Sequence, residues 1–353
     1  MADQYVEVSK KSWGSNILDS FVGLLVGILI FLVSFWVLWT NEGSVDLAQI
    51  AKQSIPISVR VVGNAANGKF VSLSGKLTTE DKVSDSQYGQ NGDYLVLNRK
   101  VEMFAWVEKA KSETKDEMGG GSATKTTYTY AKGWTAAPKE TSDFKYPEGH
   151  ENPAPAVQNE SFIAKTAKIG EYSVDPRTIE LPSSKPLAGQ YRFAGRGSLP
   201  SPQVGDVRIS YSALENNFNV TAFGKLDGGD LVPYYFTADK SLYRAVRGSR
   251  DSALAALAAE HKAAVWTIRI VGFLMMWLGL FLFFGPLNAV LKVFPFLGTA
   301  GRWLSGAVTF PVALALSAVT ILISLIAHNI WLLLAAVVLV GAGSFWLITK
   351  RKK

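Results

Sequence analysis

The sequence predicts an α+β membrane protein with four transmembrane helices, one N-terminal and three C-terminal, and a large β-rich extramembrane domain inserted between helices 1 and 2. The spacing of the apolar segments is the first reason. One lies near the N-terminus and three near the C-terminus, and each holds the roughly 20 apolar residues that a bilayer requires. The second reason is composition. Hydrophobic residues make up 48% of the chain and charged residues 18%, which is typical of a chain partly within a membrane.

Helix-breaking or polar segments bound the four predicted helices. The first carries no charge between Phe21 and Trp39, and its length excludes a cleaved signal peptide. Gly285 and Pro286 are expected to kink or end the second. The predicted boundaries are 1–19 for a cytoplasmic N-terminus, 20–40 for helix 1, 41–264 for a β-rich periplasmic or lumenal domain ending in a helix, 265–291 for helix 2, 292–302 for a cytoplasmic loop, 303–326 for helix 3, 330–348 for helix 4 and 349–353 for a basic cytoplasmic tail.

The positions of the lysines and arginines predict the orientation. Lys10 and Lys11 precede helix 1, Lys292 and Arg302 flank the loop before helix 3, and a basic run at 350–353 closes the chain. Four spans place these clusters on one face, which the positive-inside rule assigns to the cytoplasm. The basic tail is also expected to contact anionic lipid headgroups.

Composition and motifs exclude several classes of function. The net charge is +7, but no basic patch interleaved with aromatic residues appears, so no nucleic-acid partner is expected. The chain has no cysteine, which excludes thiol catalysis and thiolate metal sites. Residues 63–69 imitate a phosphate-binding loop, but Phe70 stands where that loop requires a Ser or Thr. No cofactor, metal or enzymatic activity is therefore expected.

Alternating and turn-forming residues predict a mainly β extramembrane domain. Asn67-Gly68 between two β-rich runs predicts a hairpin. From residue 101, alternation places Val101, Met103, Ala105 and Val107 on one strand face and Glu102, Phe104, Trp106 and Glu108 on the other. The strand is expected to pair with residues 126–134 in a long hairpin with a disordered tip. The two glutamates are expected on a solvated face.

An ordered set of short motifs resembles the transmembrane protein 43 family, also called LUMA. The set comprises Asn41-Glu42-Gly43, residues 101–108, Gly-His-Glu-Asn-Pro at 149–153, Val-Gly-Asp-Val-Arg at 204–208, Gly-Asp-Leu-Val-Pro at 229–233, Trp266-x-x-Arg269-x-x-Gly272 and Phe294-Pro295. It covers nearly the whole chain, although no single motif is specific.

The resemblance implies four spans, both termini on one face and a large lumenal domain. Animal members reside in the endoplasmic reticulum and inner nuclear membrane, associate with themselves, lamins and emerin, and are described as envelope organisers. Cation-channel activity has also been proposed for the family, and no catalytic residues are established. The absence of cysteine fits a bacterial member in an inner membrane with a periplasmic domain, for which lamin and emerin would not be partners.

Seven residues are the candidate functional positions. Phe104 and Trp106 are candidate contact residues, with core packing as the competing interpretation. His150 is a candidate titrating group, although a structural role in an irregular loop is favoured. Arg269 either extends to the lipid headgroups or pairs with Glu42, which borders helix 1. Gly23 and Gly27 form a small-residue step for self-association or for packing on helices 3 and 4, unless they are ordinary helix glycines.

The sequence favours a non-enzymatic membrane scaffold that self-associates and binds unidentified protein partners through its extramembrane domain. The first alternative is an oligomeric cation channel, with Glu42 at its mouth and hydroxyls such as Thr309 and Ser317 along its path. The second is a periplasmic hydrolase with clustered titratable groups around His150. The partner, the stoichiometry and the host are not fixed by the sequence.

Overall fold

The computed structural model describes residues 3–57, 66–189, 191–291, 293, 295–335 and 338–339. The chain divides into two compact units. Unit 1 comprises Met1–Tyr5, Asp46–Lys111 and Thr127–Ala259, and unit 2 comprises Val6–Val45, Ser112–Thr126 and Glu260–Lys353.

Strands dominate the chain between two helical ends. The helices are α1 (Trp13–Glu42), α2 (Leu47–Lys52), α3 (Arg250–Phe283), α4 (Gly285–Leu291) and α5 (Pro295–His328). The strands are β1 (Asp3–Lys11), β2 (Ile55–Ile57), β3 (Phe70–Thr78), β4 (Ser84–Asp85), β5 (Gln90–Asn91), β6 (Tyr94–Asp116), β7 (Ser122–Thr135), β8 (Glu160–Ile163), β9 (Ala167–Ile169), β10 (Tyr172–Val174), β11 (Lys185–Pro186), β12 (Arg192–Ala194), β13 (Val207–Glu215), β14 (Phe218–Asp227), β15 (Asp230–Val232), β16 (Tyr234–Tyr235), β17 (Ser241–Leu242) and β18 (Arg244–Arg247).

The first sheet follows the order β1-β7-β6-β13-β11, with β12 also on β13 and β8 also on β6. Its inner face confirms the predicted alternation, because Val101, Met103 and Ala105 are buried. Ile209 on β13 lies opposite Val101 and is equally buried. Strand side chains alternate between faces, so Phe104 and Trp106 lie on the outer face of the same strand.

Five strands of the second sheet close into a ring. β3 pairs with β14, β14 with β15, β15 with β10, β10 with β9, and β9 returns to β3. Closure removes free edges from these strands. The side chains of the ring and the inner face of the first sheet share one apolar core, which includes Leu73, Leu77, Ile169 and Val220.

The hairpin predicted at Asn67-Gly68 is wrong. β2 runs parallel to β3, with Ile55 opposite Val71, whereas a tight hairpin requires antiparallel strands. The Asn-Gly turn itself exists, with Gly68 at φ +77°. Its partner is elsewhere, because Gly68 N–H donates to the Leu226 carbonyl and β3 pairs antiparallel with β14. Residues 58–65 lie outside the described residues.

Three helices within the described residues are long and apolar enough to cross a membrane: Trp13–Lys52, Arg250–Phe283 and Trp303–His328. The predicted break at Gly285-Pro286 is confirmed, since α3 ends at Phe283 and α4 begins at Gly285. The described part of the fourth predicted helix, 330–335 and 338–339, is helical. The remainder of that helix, the basic tail and Lys292 lie outside the described residues.

The tip of the β6–β7 hairpin is ordered by contacts within unit 2, contrary to the expected disorder. Asn16 Nδ2 on α1 donates to the Gly120 carbonyl at 3.0 Å, and Gly119 N–H donates to the Val293 carbonyl at 3.2 Å. The predicted topology puts the tip on one membrane face and residues 1–19 and 292–302 on the other. Because lipid-exposed polar strands do not cross hydrocarbon, that assignment does not fit these contacts.

Candidate functional site

The outer face of β6 and its neighbours carries a cluster of aromatic residues in unit 1. Phe104 and Trp106 are half-buried, and the Phe104 ring meets Trp134 of β7 edge-to-face at 5.4 Å. Tyr191, just before β12, is 43% exposed. Together with Arg208 of β13, these four aromatic residues are here called the aromatic face.

Arg208 joins the members of the aromatic face. Its guanidinium lies 4.9 Å from the Trp134 ring centroid and 4.6 Å from that of Tyr191, so two rings enclose it. Its Nε donates to Glu102 Oε2 at 2.8 Å, directly across the β6–β13 pair. Planar guanidinium groups favour this combination of ring stacking and carboxylate pairing. Glu102 is therefore an ion-pair partner, contrary to its predicted place on a solvated face.

The Gly-His-Glu-Asn-Pro stretch fixes the loop that flanks Trp106. Asn152 Oδ1 accepts from Trp106 N–H at 2.8 Å, and Asn152 Nδ2 donates to the Trp106 carbonyl at 3.0 Å. The Asn152 side chain thus binds the backbone of β6 as a neighbouring strand would. The sequence analysis did not select Asn152, Trp134, Tyr191 or Arg208, although Asn152 and Arg208 stood within the motifs that carried the family resemblance.

His150 lies in an aromatic cage and is 1% exposed. Its ring stacks on Tyr130 at 4.0 Å and meets Trp106 edge-to-face at 4.7 Å. Nδ1 lies 2.8 Å from the Tyr146 carbonyl, while Nε2 lies 3.4 Å from Asp3 Oδ2 and has no hydrogen-bond partner among the described residues. Such burial leaves no room for a substrate at the ring, which does not favour the hydrolase alternative.

Glu108 is also not on a solvated face, because its side chain is 8% exposed. It accepts hydrogen bonds from the Tyr130 hydroxyl and, at 2.7 Å, from Lys145 N–H. Burial raises the pKa of Glu108, but these hydrogen bonds, together with the Lys139 ammonium 3.5 Å from Oε1, outweigh burial and leave the pKa below its usual value. Burial and the adjacent Glu108 carboxylate raise the pKa of Tyr130 to about 12.

Glu42 and Arg269 are brought together in unit 2. Arg269 Nε donates to Glu42 Oε1 at 2.8 Å and Nη2 to Oε2 at 2.7 Å, a two-pronged contact that links α1 to α3. Arg269 also lies 4.9 Å from the Trp266 ring centroid. Both carboxylate oxygens of Glu42 thus bind one arginine, an arrangement that a cation at a channel mouth would have to disrupt.

The two hydroxyls proposed for a cation path bond to their own helix. Thr309 donates to the Ser305 carbonyl at 2.7 Å, and Ser317 donates to the Leu314 carbonyl at 3.0 Å. Both residues are buried. Hydroxyls that bond within the turn before them allow close helix packing, which is an ordinary role in membrane helices.

The two candidate glycines of α1, Gly23 and Gly27, have different surroundings. A Cβ on Gly27 would lie 2.7 Å from Leu282 Cβ and 2.9 Å from the Gly279 carbonyl oxygen, so α1 and α3 approach closely there. A Cβ on Gly23 would meet nothing within 4 Å among the described residues. Gly27 therefore packs on α3, a helix that the sequence did not indicate as its partner. Gly23 stays a candidate for self-association.

A groove of about 930 Å³ opens elsewhere on unit 1. Residues from the end of β3, from β9, β10 and β15 and from the segment before β9 line it, and none of them is a histidine. Within the described residues, no group of three or more His, Asp or Glu side chains is placed to hold a metal ion.

Comparison with known proteins identifies one family along most of the chain. The family model described as Transmembrane protein 43 matches residues 103–330. The human protein named Transmembrane protein 43 is 28% identical over 306 residues, covering 77% of this chain and 76% of the human chain. The rat protein of that name is 27% identical over the same shares. A Drosophila melanogaster homolog is 25% identical over 72% of this chain and 74% of its own.

No solved structure gives a significant match to the chain. The range matched by the family model contains the aromatic face and Arg269, whereas Gly23, Gly27 and Glu42 precede it. The relatives reported above are animal proteins, so the bacterial source inferred from the absence of cysteine has no support among them.

Proposed function

Because the chain belongs to the transmembrane protein 43 family, as its sequence motifs predicted, we propose that it is a non-enzymatic multi-pass membrane scaffold. In this proposal the protein self-associates and binds protein partners through its extramembrane domain. The observation that carries the proposal is the aromatic face, which combines four aromatic side chains with an enclosed arginine.

The composition of the aromatic face is that of a protein-binding surface. Tyr, Trp and Arg are the residue types most often found where a few side chains supply most of the binding energy. Arg208 is already held by Glu102 and two rings, so little side-chain entropy would be lost on binding. Trp106 is likewise held by the loop around His150 and Asn152. A preformed surface of this kind suits a scaffold.

The direct test is the mass of the particle formed in nanodiscs or mild detergent. The double variant Trp134→Ala, Tyr191→Ala removes two rings from the aromatic face and leaves the loop around Trp106 in place. We expect it to shift the protein towards the monomer and to reduce crosslinking between copies. The matched control is Tyr235→Ala, which removes a ring that is 65% exposed on β16. The proposal fails if the double variant and the control assemble as the wild type does.

Ion flux distinguishes the scaffold from the cation channel. Folded protein in sealed liposomes should give no more cation flux than empty liposomes. Cation flux that is lost in a Glu42→Ala variant would favour the channel. The double variant Glu42→Ala, Arg269→Ala would then show whether the flux depends on the ion pair or on the carboxylate alone.

The proposed topology has four spans, with residues 330–348 as the fourth and with both termini and the loop ahead of α5 on the cytoplasmic face. The lysine and arginine pattern and the helical start at 330–335 support it. The membrane would be the endoplasmic reticulum or inner nuclear membrane in an animal cell and the inner membrane in a bacterium. The periplasmic or lumenal position predicted for the whole β-rich domain is not proposed, because its hairpin tip contacts Asn16 and Val293, which this topology places on the cytoplasmic face.

A further inference from the structure

The tip of the β6–β7 hairpin, residues 117–121, docks on the first turn of α1 within unit 2. Asn16 is the centre of this contact: its Nδ2 donates to the Gly120 carbonyl and its Oδ1 accepts from Ser122 Oγ at 3.2 Å. Lys10 Nζ lies 3.2 Å from Glu117 Oε1. The tip is thus fixed to the start of a membrane helix by partners on both of its sides.

Glycine is required for this approach. Gly120 has φ +84°, a conformation that residues with side chains rarely adopt, and a Cβ there would overlap the Trp13 ring. The Trp13 ring also donates through Nε1 to the Ala289 carbonyl of α4 at 3.2 Å. Trp13 therefore joins the tip, α1 and α4 at one end of the bundle.

The outward side of this junction is apolar. Met118 at the apex of the hairpin is 89% exposed, and Leu18 on the next turn of α1 is 69% exposed. On α4, Leu287 is 55% exposed and Val290 is 50% exposed. An exposed methionine at the tip of a polar hairpin has no role in the core, and exposed apolar side chains also stand on α1 and α4, which Trp13 joins to the tip.

The position along α1 identifies what covers this surface. The apolar run of α1 begins at Phe21, five residues after Asn16, which is about 8 Å at the helical rise. At this distance from its apolar run, a membrane helix passes through the interfacial layer that borders the hydrocarbon, where tryptophan and other amphipathic groups concentrate. Lys11 and Lys10, paired with Asp19 and Glu117, stand beside the tip at headgroup level.

We infer that the hairpin tip is a membrane-surface anchor, in which Met118 and Trp13 enter the interfacial layer of the bilayer at the end where α1 begins. The partner is the lipid surface itself. This polar hairpin would then be held at the bilayer in two ways, by its hydrogen bonds to α1 and by its own apolar apex. Neither of these depends on the proposed scaffold function.

The experiment uses the absence of native cysteine. A single Met118→Cys variant of the full chain is labelled with an environment-sensitive dye and placed in nanodiscs. Quenching by lipids that carry a nitroxide near the headgroup is compared with quenching by iodide in solution. Ser112→Cys, also exposed but six residues away along β6, about 20 Å at strand rise, is the matched control.

We expect the label at residue 118 to be quenched several-fold more by the spin-labelled lipid than the label at residue 112, with the reverse order for iodide. Asn16→Ala, which removes both side-chain bonds to the hairpin, should lower the lipid quenching at residue 118 while thermal unfolding still shows a folded bundle. A label at residue 118 that iodide quenches freely would overturn the inference. So would a label shielded from both quenchers, because it would indicate that protein covers the tip.

Discussion

Two arginines, one in each unit, hold carboxylates in different ways. Arg99 of unit 1 has a side chain that is 5% exposed and binds Asp85 at 2.8 Å and Glu160 at 2.7 Å. The Arg269 side chain of unit 2 is 18% exposed and binds one carboxylate among the described residues, that of Glu42. In the β-rich unit one guanidinium binds side chains from several segments, whereas in the helical unit one guanidinium joins two helices.

The surroundings of Arg99 show why its loss should be costly. Nε donates to the Gln158 carbonyl and Nη1 also to Gln87 Oε1. Asp85 in turn accepts from the Tyr211 hydroxyl at 2.8 Å. Burial alone raises the pKa of Asp85, but the hydrogen bonds from Tyr211 and Arg99 outweigh burial and leave it lowered. Three segments of unit 1 thus depend on one guanidinium.

The largest predicted effect follows from removing that guanidinium. Arg99→Ala leaves the Asp85 carboxylate buried without its cation, and we expect a loss of about 3–5 kcal/mol in the free energy of unfolding of unit 1. Thermal unfolding followed through the β-sheet circular dichroism measures it. The control is Glu160→Gln, because the Glu160 side chain is 51% exposed and an exposed partner contributes only about 0–1 kcal/mol. Equal losses of unfolding free energy in the two variants would show that Arg99 stabilises unit 1 no more than its exposed partner does.

The second prediction concerns the single pair in unit 2. Glu42→Ala and Arg269→Ala should each lower thermal stability, and the double variant should lose less than the sum by roughly 1–3 kcal/mol, the usual coupling of groups in contact. Thr267→Ala is the control, since its hydroxyl bonds only to its own helix at Ala263. Strictly additive losses would mean that the two side chains do not stabilise each other and that Arg269 is held by the headgroups.

The third prediction tests whether close backbone contact, rather than charge, holds unit 2 together. Gly27→Ala forces α1 away from Leu282 and Gly279, and we expect a loss of about 1–3 kcal/mol from overpacking. Gly23→Ala on the same helix should not lower stability, because a Cβ there would meet nothing within 4 Å among the described residues. If Gly23 serves self-association, the same change should reduce the oligomer. A stable Gly27→Ala protein would contradict the close approach.

The sequence predicted what depends on local periodicity and missed what depends on pairing across the chain. Alternation placed Met103 inside and Phe104 outside, and Gly285-Pro286 marked the break between α3 and α4, because both signals lie within a few residues. The Asn67-Gly68 turn was found, but its strand partner was not, since pairing with β14 joins residues about 150 positions apart. Glu108 was taken for a solvated residue because nothing local reveals Tyr130 or the Lys145 amide.

The smallest predicted effect concerns that same carboxylate. The Tyr130 hydroxyl and the Lys145 amide bind it, and the Lys139 ammonium lies 3.5 Å away, whereas the carboxylates at Arg99 and Arg269 are bound by a guanidinium. Because the pKa of Glu108 is lowered in the folded protein, its stabilising contribution is present at neutral pH and is lost as pH falls through the folded-state pKa. Glu108→Gln should therefore cost about 1 kcal/mol at pH 7 and close to nothing at pH 3. Unfolding by urea at the two pH values measures the difference. Tyr130→Phe, which leaves the carboxylate with its amide donor, should show a smaller dependence on pH. If Glu108→Gln costs the same at both pH values, packing rather than charge explains its burial.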